Sequence, residues 1–288
     1  MCACNIVEQI LSGFSSTMRP LYQKLLTSNY LDIRSVDELD PLCEHFTFNE
    51  ETGDLEFSHS SFGYTSTDLT LYFGRSSCRK YHLTPKTASE CMAKVPDKDV
   101  YPEAPSHYTY VAHRRGFFKG PMLTAYDELK GTQDVANMLR QEAEVCEQLQ
   151  AHPHPNVIRY YGCSTRRGRI VGLLFERYPF TLEQYLSDHK DELDLELGFK
   201  EIRDGVHHLH TLSLAHNDIK PQNIMVSANG TWILIDLGSC LPFGASLTSA
   251  GTSGWYDDSW TTSEQHHDEI ALDKLWSWLK SFLVESTS

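Results

Sequence analysis

The order of apolar patterns along the chain predicts an α+β fold in which short strands give way to helices. Three observations carry this reading. Runs rich in β-branched and aromatic residues, at Tyr108 to Phe118, Val157 to Cys163 and Ile170 to Glu176, have strand character, and an amphipathic helix from Val135 to Gln150 interrupts them. A short helix at Glu183 to Leu186 is followed by a longer one at Leu197 to Leu212. A loop with two short strands, around Ile224 to Val226 and Trp232 to Ile235, then leads through an irregular segment to a last apolar helix at Glu269 to Leu283.

Residues 1–105 carry no chemical motif. Asn5 to Phe14 and Met18 to Leu26 have helical apolar spacing, and Phe46 to Phe57 reads as a hairpin about Thr52-Gly53. The polar, proline-bearing stretch VPDKDVYPEAPSH forms a connector, so two parts are expected, 1–105 and 106–288. The 288 residues, 40% hydrophobic and 11% aromatic, are enough to bury a substantial core. A net charge of -14 and a pI near 5.4 oppose encounter with polyanions, which argues against nucleic acid or an anionic membrane as a main partner. The eight cysteines show no paired metal-site spacing. Nothing reads as a signal sequence or a membrane span, so a cytoplasmic or otherwise intracellular location is expected. The sequence leaves oligomeric state open.

Residues 216–223 read His-Asn-Asp-Ile-Lys-Pro-Gln-Asn, and one hairpin length on, Asp236-Leu237-Gly238 follows an apolar strand. A lone His/Asp/Asn loop is satisfied by an Asx-capped turn, but the second acidic loop at this distance is not explained that way. His207, His208 and His210 do not share one helical face, which argues against a metal there.

This pair of elements resembles the catalytic loop and metal-binding loop of the protein kinase family, Ser/Thr type, and its details are similar to the compact kinase-like proteins of filamentous fungi. The resemblance implies a bilobal protein-kinase-like fold, with a small β-rich N-lobe, a truncated helical C-lobe and an N-terminal extension. It implies ATP and Mg²⁺ as cofactors and a protein or peptide Ser/Thr hydroxyl as acceptor. Asp218 would accept or orient the acceptor's proton, and Lys220 would neutralise the phosphoryl oxygens. Asn223 and Asp236 would ligate the metal, since Mg²⁺ takes hard oxygen donors. Small-molecule kinases usually lack the Lys220 equivalent.

The resemblance extends upstream. LRQEAEVCEQL followed by His154-Pro155-Asn156-Val157 is similar to the αC helix and its turn, making Glu142 the αC glutamate. Lys119 in Gly116-Phe117-Phe118-Lys119 is then the phosphate-anchoring lysine, with a second strand register through Tyr126 that would leave no lysine. Phe175-Glu176-Arg177-Tyr178 resembles the gatekeeper and hinge, so the backbone of Glu176 and Tyr178 would bind adenine. Gly251 to Trp255 resembles the segment before the substrate-docking loop, with Thr252 near Asp218 and Lys220, and Asp268 resembles the buried αF aspartate. The chain departs from the family in three places. No glycine lies between Gly74 and Gly116, where a phosphate loop is expected. Asn217 stands where regulated kinases carry arginine, which implies little dependence on loop phosphorylation. Few residues follow the last helix. A pseudokinase acting as a binding or scaffold protein and a small-molecule kinase are therefore rival expectations.

Overall fold

The computed structural model describes residues 31–112, 115–188, 194–247, 252, 254–257 and 259–285. The helical patterns at Asn5 to Phe14 and Met18 to Leu26, and Gly251 and Ser253, lie outside them. The chain forms two compact units, Met1–Pro96 and Asp97–Ser288.

In the first unit, β1 (Leu42–Phe48), β2 (Leu55–Thr65), β3 (Leu71–Ser76) and β4 (Met92–Lys94) form an antiparallel sheet in sequence order. The β1–β2 turn falls at Thr52-Gly53. Gly53 takes φ +76, and the Asn49 side chain accepts from the Glu51 and Thr52 amides. Helix α1 (Pro85–Cys91) starts on proline and is capped by the Thr84 hydroxyl, which accepts from Thr87 N. Ile33, Leu39, Phe62, Leu83 and Ala88 form this unit's core.

The second unit opens with α2 (Asp97–Val100) and an extended stretch. The sequence reads a single strand at Tyr108 to Phe118, but this segment splits in two. Thr109 to Val111 bond to Cys163 at one edge of the small sheet, and β5 (Phe117–Lys119) pairs with the other. Gly116 makes the join possible: it has φ +136, and a Cβ there would lie 2.3 Å from the Phe175 carbonyl oxygen. The sheet has the order β5-β7-β6, with β6 (Tyr160–Arg166) and β7 (Arg169–Phe175). Tyr126 lies on no strand and is buried at the start of the short helix α3 (Tyr126–Leu129), whereas Lys119 closes β5.

Helix α4 (Asp134–Ala151) buries Val135, Leu139, Ala143, Cys146 and Leu149, one stripe at 3.6-residue spacing, and Glu142 sits on that stripe. After β8 (Phe180–Thr181) and α5 (Leu182–Asp188) comes α6 (Leu195–Thr211), capped by Asp194, whose carboxylate accepts from Leu197 N. Gly198 on α6 lets the buried Trp232 ring approach so closely that a Cβ would lie 2.3 Å from it. The strands β9 (Leu214–Ala215), β10 (Ile224–Val226), β11 (Trp232–Leu234) and β12 (Leu241–Pro242) bracket the loops that carry the motif. The last helix, α7 (Gln265–Glu285), buries Ala271, Leu272, Leu275 and Leu279 against the same core. Each of these buried leucines contributes about 1.5–3 kcal/mol of burial, which gives the loops a rigid base. No helix among the described residues is long and apolar enough to cross a membrane.

Candidate active site

The motif residues lie on loops because their elements end there. Ser213 takes φ +59 just past α6, β9 is two residues long, and Pro221 starts a 3₁₀ turn over Pro221–Asn223 that delivers the chain into β10. Backbone bonds then bring the two loops together: Ile235 N donates to Asn223 O at 2.9 Å, and His216 Nε2 lies 3.0 Å from Ile235 O.

The first cluster is made by the sheet, α4 and the second loop. Lys119 Nζ lies 2.7 Å from Glu142 Oε1 and 2.6 Å from Asp236 Oδ1. Their exposures differ in a way that matters: the Glu142 side chain is 5% exposed, Lys119 28% and Asp236 44%. Burial alone would lower the Lys119 pKa, but the two carboxylates overcome it and hold the amine above its ordinary value. Burial pushes Glu142 up despite the ammonium beside it. Burial would also raise Asp236, yet Lys119 prevails and holds it below the usual carboxylate range. Asp236 adopts the left-handed conformation, φ 62, ψ 79, and accepts from Gly238 N at 3.3 Å. Gly238 is small for a reason: a Cβ there would stand 3.3 Å from Asp236 Oδ1 and 3.5 Å from Lys119 Nζ, crowding the triad.

The second cluster surrounds Asp218. Lys220 Nζ donates to Asp218 Oδ2 at 2.7 Å and to Thr252 Oγ1 at 2.5 Å, and Thr252 Oγ1 donates to Asp218 Oδ1 at 3.0 Å. Asn223 Nδ2 donates to Asp218 O and Oδ2, both at 2.8 Å. With its nitrogen so engaged, Asn223 presents its amide oxygen as an acceptor. That hard oxygen and the half-exposed Asp236 carboxylate are the donor types a magnesium ion takes.

Underneath, Asp268 is fully buried on the first turn of α7. Its Oδ2 accepts from His216 N and its Oδ1 from Asn217 N, both at 2.8 Å, and His210 Nε2 lies 2.9 Å from Oδ2. At the far end of β7, Glu176 N donates to Arg159 O at 2.9 Å, and Tyr178 Oη donates to Glu176 Oε2 at 3.2 Å. Two of the three clustered histidines have structural partners. His210 meets Asp268, and His208 Nε2 lies 2.7 Å from His152 O.

The sequence passed over the Asn217 side chain, reading it only as the loss of an arginine, and it assigned no role to Ser239 or Ser263. No spacing signal marks either serine. Their part emerges only when residues 22 and 46 positions from Asn217 meet its amide.

A small three-stranded sheet with one helix carrying a buried glutamate, joined to a helical part whose loops hold Asp218, Lys220, Asn223 and Asp236, defines a protein-kinase-like domain. The chain belongs to the protein kinase family: the protein kinase domain model matches residues 123–278, more than half its length. It is similar to the human serine/threonine-protein kinase/endoribonuclease IRE2, 30% identical over 156 residues, which are 49% of this chain and 16% of the relative. The serine/threonine-protein kinase/endoribonuclease IRE1 of Hypocrea jecorina is 30% identical over 144 residues (43% of this chain, 12% of the relative). The serine/threonine-protein kinase SSK22 of Saccharomyces cerevisiae is 31% identical over 105 residues (35% and 8%). The chain thus spans about a sixth or less of these relatives' lengths. The family match begins after Lys119, so the placement of that lysine rests on its contacts with Glu142 and Asp236.

Proposed function

We propose that the chain is an ATP- and Mg²⁺-dependent phosphotransferase, a Ser/Thr protein kinase that moves the terminal phosphoryl group of ATP to a protein or peptide hydroxyl. The observation that carries this reading is that Asp236, ion-paired with Lys119 and so linked to Glu142, and the Asp218–Lys220 pair bonded to Thr252 sit on loops joined through Ile235.

Each residue has a chemical role in this reading. Lys119, kept cationic by two carboxylates, holds the phosphates, and Glu142 orients it. Asp236 and the Asn223 amide oxygen hold the metal, which supplies neutralising charge to the phosphates. Asp218 accepts the proton of the incoming hydroxyl, aimed by the Asn223 and Thr252 hydrogen bonds. Lys220 stands beside it to offset charge on the moving group. In this reading the Glu176 carbonyl and the Tyr178 backbone would meet the base, since the Glu176 amide is spent on Arg159 O. Lys220, whose equivalent small-molecule kinases usually lack, is held between Asp218 and Thr252, and this supports a Ser/Thr-type acceptor.

Incubation with Mg²⁺ and γ-labelled ATP, alone and with generic peptide acceptors, tests this. Label transfer to peptide is expected. Absence of transfer, together with no ATP-induced thermal shift, would defeat it.

A second reading, a pseudokinase that binds partners without transfer, draws on one feature. Residues 75–115 contain no glycine, and among the described residues no strand pairs with the outer edge of β5, where a phosphate-covering loop would be anchored. ATP binding without transfer would favour this reading. Labelling of a metabolite and never of peptides would favour a small-molecule kinase.

A further inference from the structure

We propose that the β1–β2 hairpin is a docking arm for a short peptide segment of another protein, one that carries apolar anchors beside lysine or arginine. The arm lies outside residues 123–278, which match the protein kinase domain, so this binding does not depend on the function proposed above.

The arm begins where the first unit's sheet narrows to two strands. β3 pairs with β2 only at Ser60 to Thr65, whereas β1 and β2 stay paired out to Phe48 and Leu55, on either side of the Thr52-Gly53 turn. Side chains alternate across such a ribbon. Phe46 and Phe57 are register partners whose rings meet edge to face at 6.1 Å, and Phe48 faces Leu55 on the same side nearer the turn. Thr47 and Glu56 lie between these pairs on the opposite side. An alternation of this kind belongs to a sheet with one face covered. Yet Phe46 is 46% exposed, Phe48 64% and Leu55 70%, as is 65% of Tyr81 at the root of the arm. None of them belongs to the unit's core around Phe62 and Leu83.

Arg79 covers only the root. Its guanidinium carbon lies 5.3 Å from the centre of the Phe46 ring, 4.8 Å from Phe57 and 5.6 Å from Tyr81. Its Nε donates to Tyr81 Oη at 3.1 Å and lies 3.5 Å from Glu44 Oε1. The cation ties the rings into one platform and leaves Phe48 and Leu55 bare. An aromatic side chain offers roughly 150–250 Å², so these exposures leave on the order of 500 Å² of apolar surface, the size of a functional patch. That is short of the about 800 Å² per partner that a stable dimer buries. The area therefore suits a peptide and not a second copy of the chain.

Charge selects the peptide's sign. Glu50, Glu51 and Asp54 surround the turn, all exposed, and residues 44–57 contain no lysine or arginine. Arg79 is offset by Glu44, so the tip keeps its negative charge beside the bare apolar side chains. A cationic, apolar segment complements both features, and the carboxylates repel acidic competitors.

Panning a phage-displayed library of random dodecapeptides on the full chain tests this, with the enriched peptides then measured by fluorescence anisotropy. Peptides that place leucine or an aromatic residue next to lysine or arginine should be enriched. Phe48→Ser combined with Leu55→Ser should weaken their binding about tenfold or more. Glu50→Gln, Glu51→Gln and Asp54→Asn together should weaken it about three- to tenfold and flatten its salt dependence. Thr47→Ala, on the opposite face, should leave it unchanged. No enrichment, enrichment of peptides without cations, or equal binding by the wild type and the Phe48→Ser, Leu55→Ser variant would overturn the proposal. So would an equal loss in Thr47→Ala, or a wild-type dimer in sedimentation that the Phe48→Ser, Leu55→Ser variant abolishes, since the arm's occupant would then be a second copy.

Discussion

Replacing Lys119 with methionine would remove the cation from between two carboxylates while keeping a side chain of similar length. Glu142, 5% exposed and on the buried stripe of α4, would then face an apolar core and the Asp236 carboxylate with no counter-charge. Removing one partner of a buried ion pair costs about 3–5 kcal/mol, and the low end applies because 28% exposure of Lys119 lets water reach the site. At about 2–4 °C per kcal/mol for a unit of this size, a loss of about 3 kcal/mol lowers Tm by about 6–12 °C at neutral pH. The loss should also depend on pH. Burial already raises the Glu142 pKa, and losing Lys119 raises it further, so the folded variant binds a proton that the unfolded chain lacks. Its deficit is therefore largest above the raised folded pKa and shrinks as pH falls through it. The wild type behaves oppositely through Asp236, whose depressed pKa contributes stability that is lost only at pH values below the ordinary carboxylate range. Thermal melts of both proteins at pH 5, 6, 7 and 8 read this out. A Tm difference under about 2 °C, or one that is equal at pH 5 and 8, would refute the argument.

Other outcomes follow from the same contacts. Asp218→Asn should reduce label transfer by about 10²–10⁴ while leaving the MgATP-induced thermal shift in place; equal transfer would remove Asp218 from the role of base. Asp268→Asn turns an acceptor oxygen into a donor facing a backbone N–H, and should cost about 2–3 kcal/mol, seen as a Tm drop; a neutral substitution would show that α7 does not tie down the loop. Gly116→Ala puts a methyl group 2.3 Å from Phe175 O at φ +136 and should destabilise by about 2 kcal/mol or more, as denaturant melts would report.

Much of the second unit was legible because its elements are local and strongly patterned. The α4 stripe is amphipathic over 18 residues, and the reading at Val135 to Gln150 meets Asp134–Ala151 closely. The α6 reading, Leu197 to Leu212, starts two residues late because Asp194 caps the helix from a segment with no periodicity. The strand at Tyr108 to Phe118 was misread for a physical reason. Its β-rich composition is real, but its two ends pair with opposite edges of the sheet, and composition does not reveal which partner each half takes. The same limit hid most of the first unit. The hairpin at Thr52-Gly53 announces itself through a glycine turn, whereas the β2–β3 hairpin turns through residues 66–70 without a glycine, and β4 returns to β3 only after α1.

The candidate site divides in the same way. Asp218, Lys220, Asn223 and Asp236 stand out as a spaced motif, and Glu142 is a charge on an otherwise apolar stripe. Lys119 sits on a three-residue strand with no pattern of its own, so only three-dimensional proximity to Glu142 separates it from a surface lysine. Asn217 was visible only as a departure, because the groups its amide nitrogen meets, Ala215 O, Ser239 O and Ser263 Oγ, are scattered along the chain.

Calorimetric titration of a non-hydrolysable ATP analogue, with and without magnesium, into the wild type and Asp236→Ala addresses the central claim most directly. Saturable, magnesium-enhanced binding to the wild type that is largely lost in the variant is the outcome expected of a triad built to receive nucleotide phosphates. Indifference to magnesium in the wild type, or equal binding by both proteins, would contradict it.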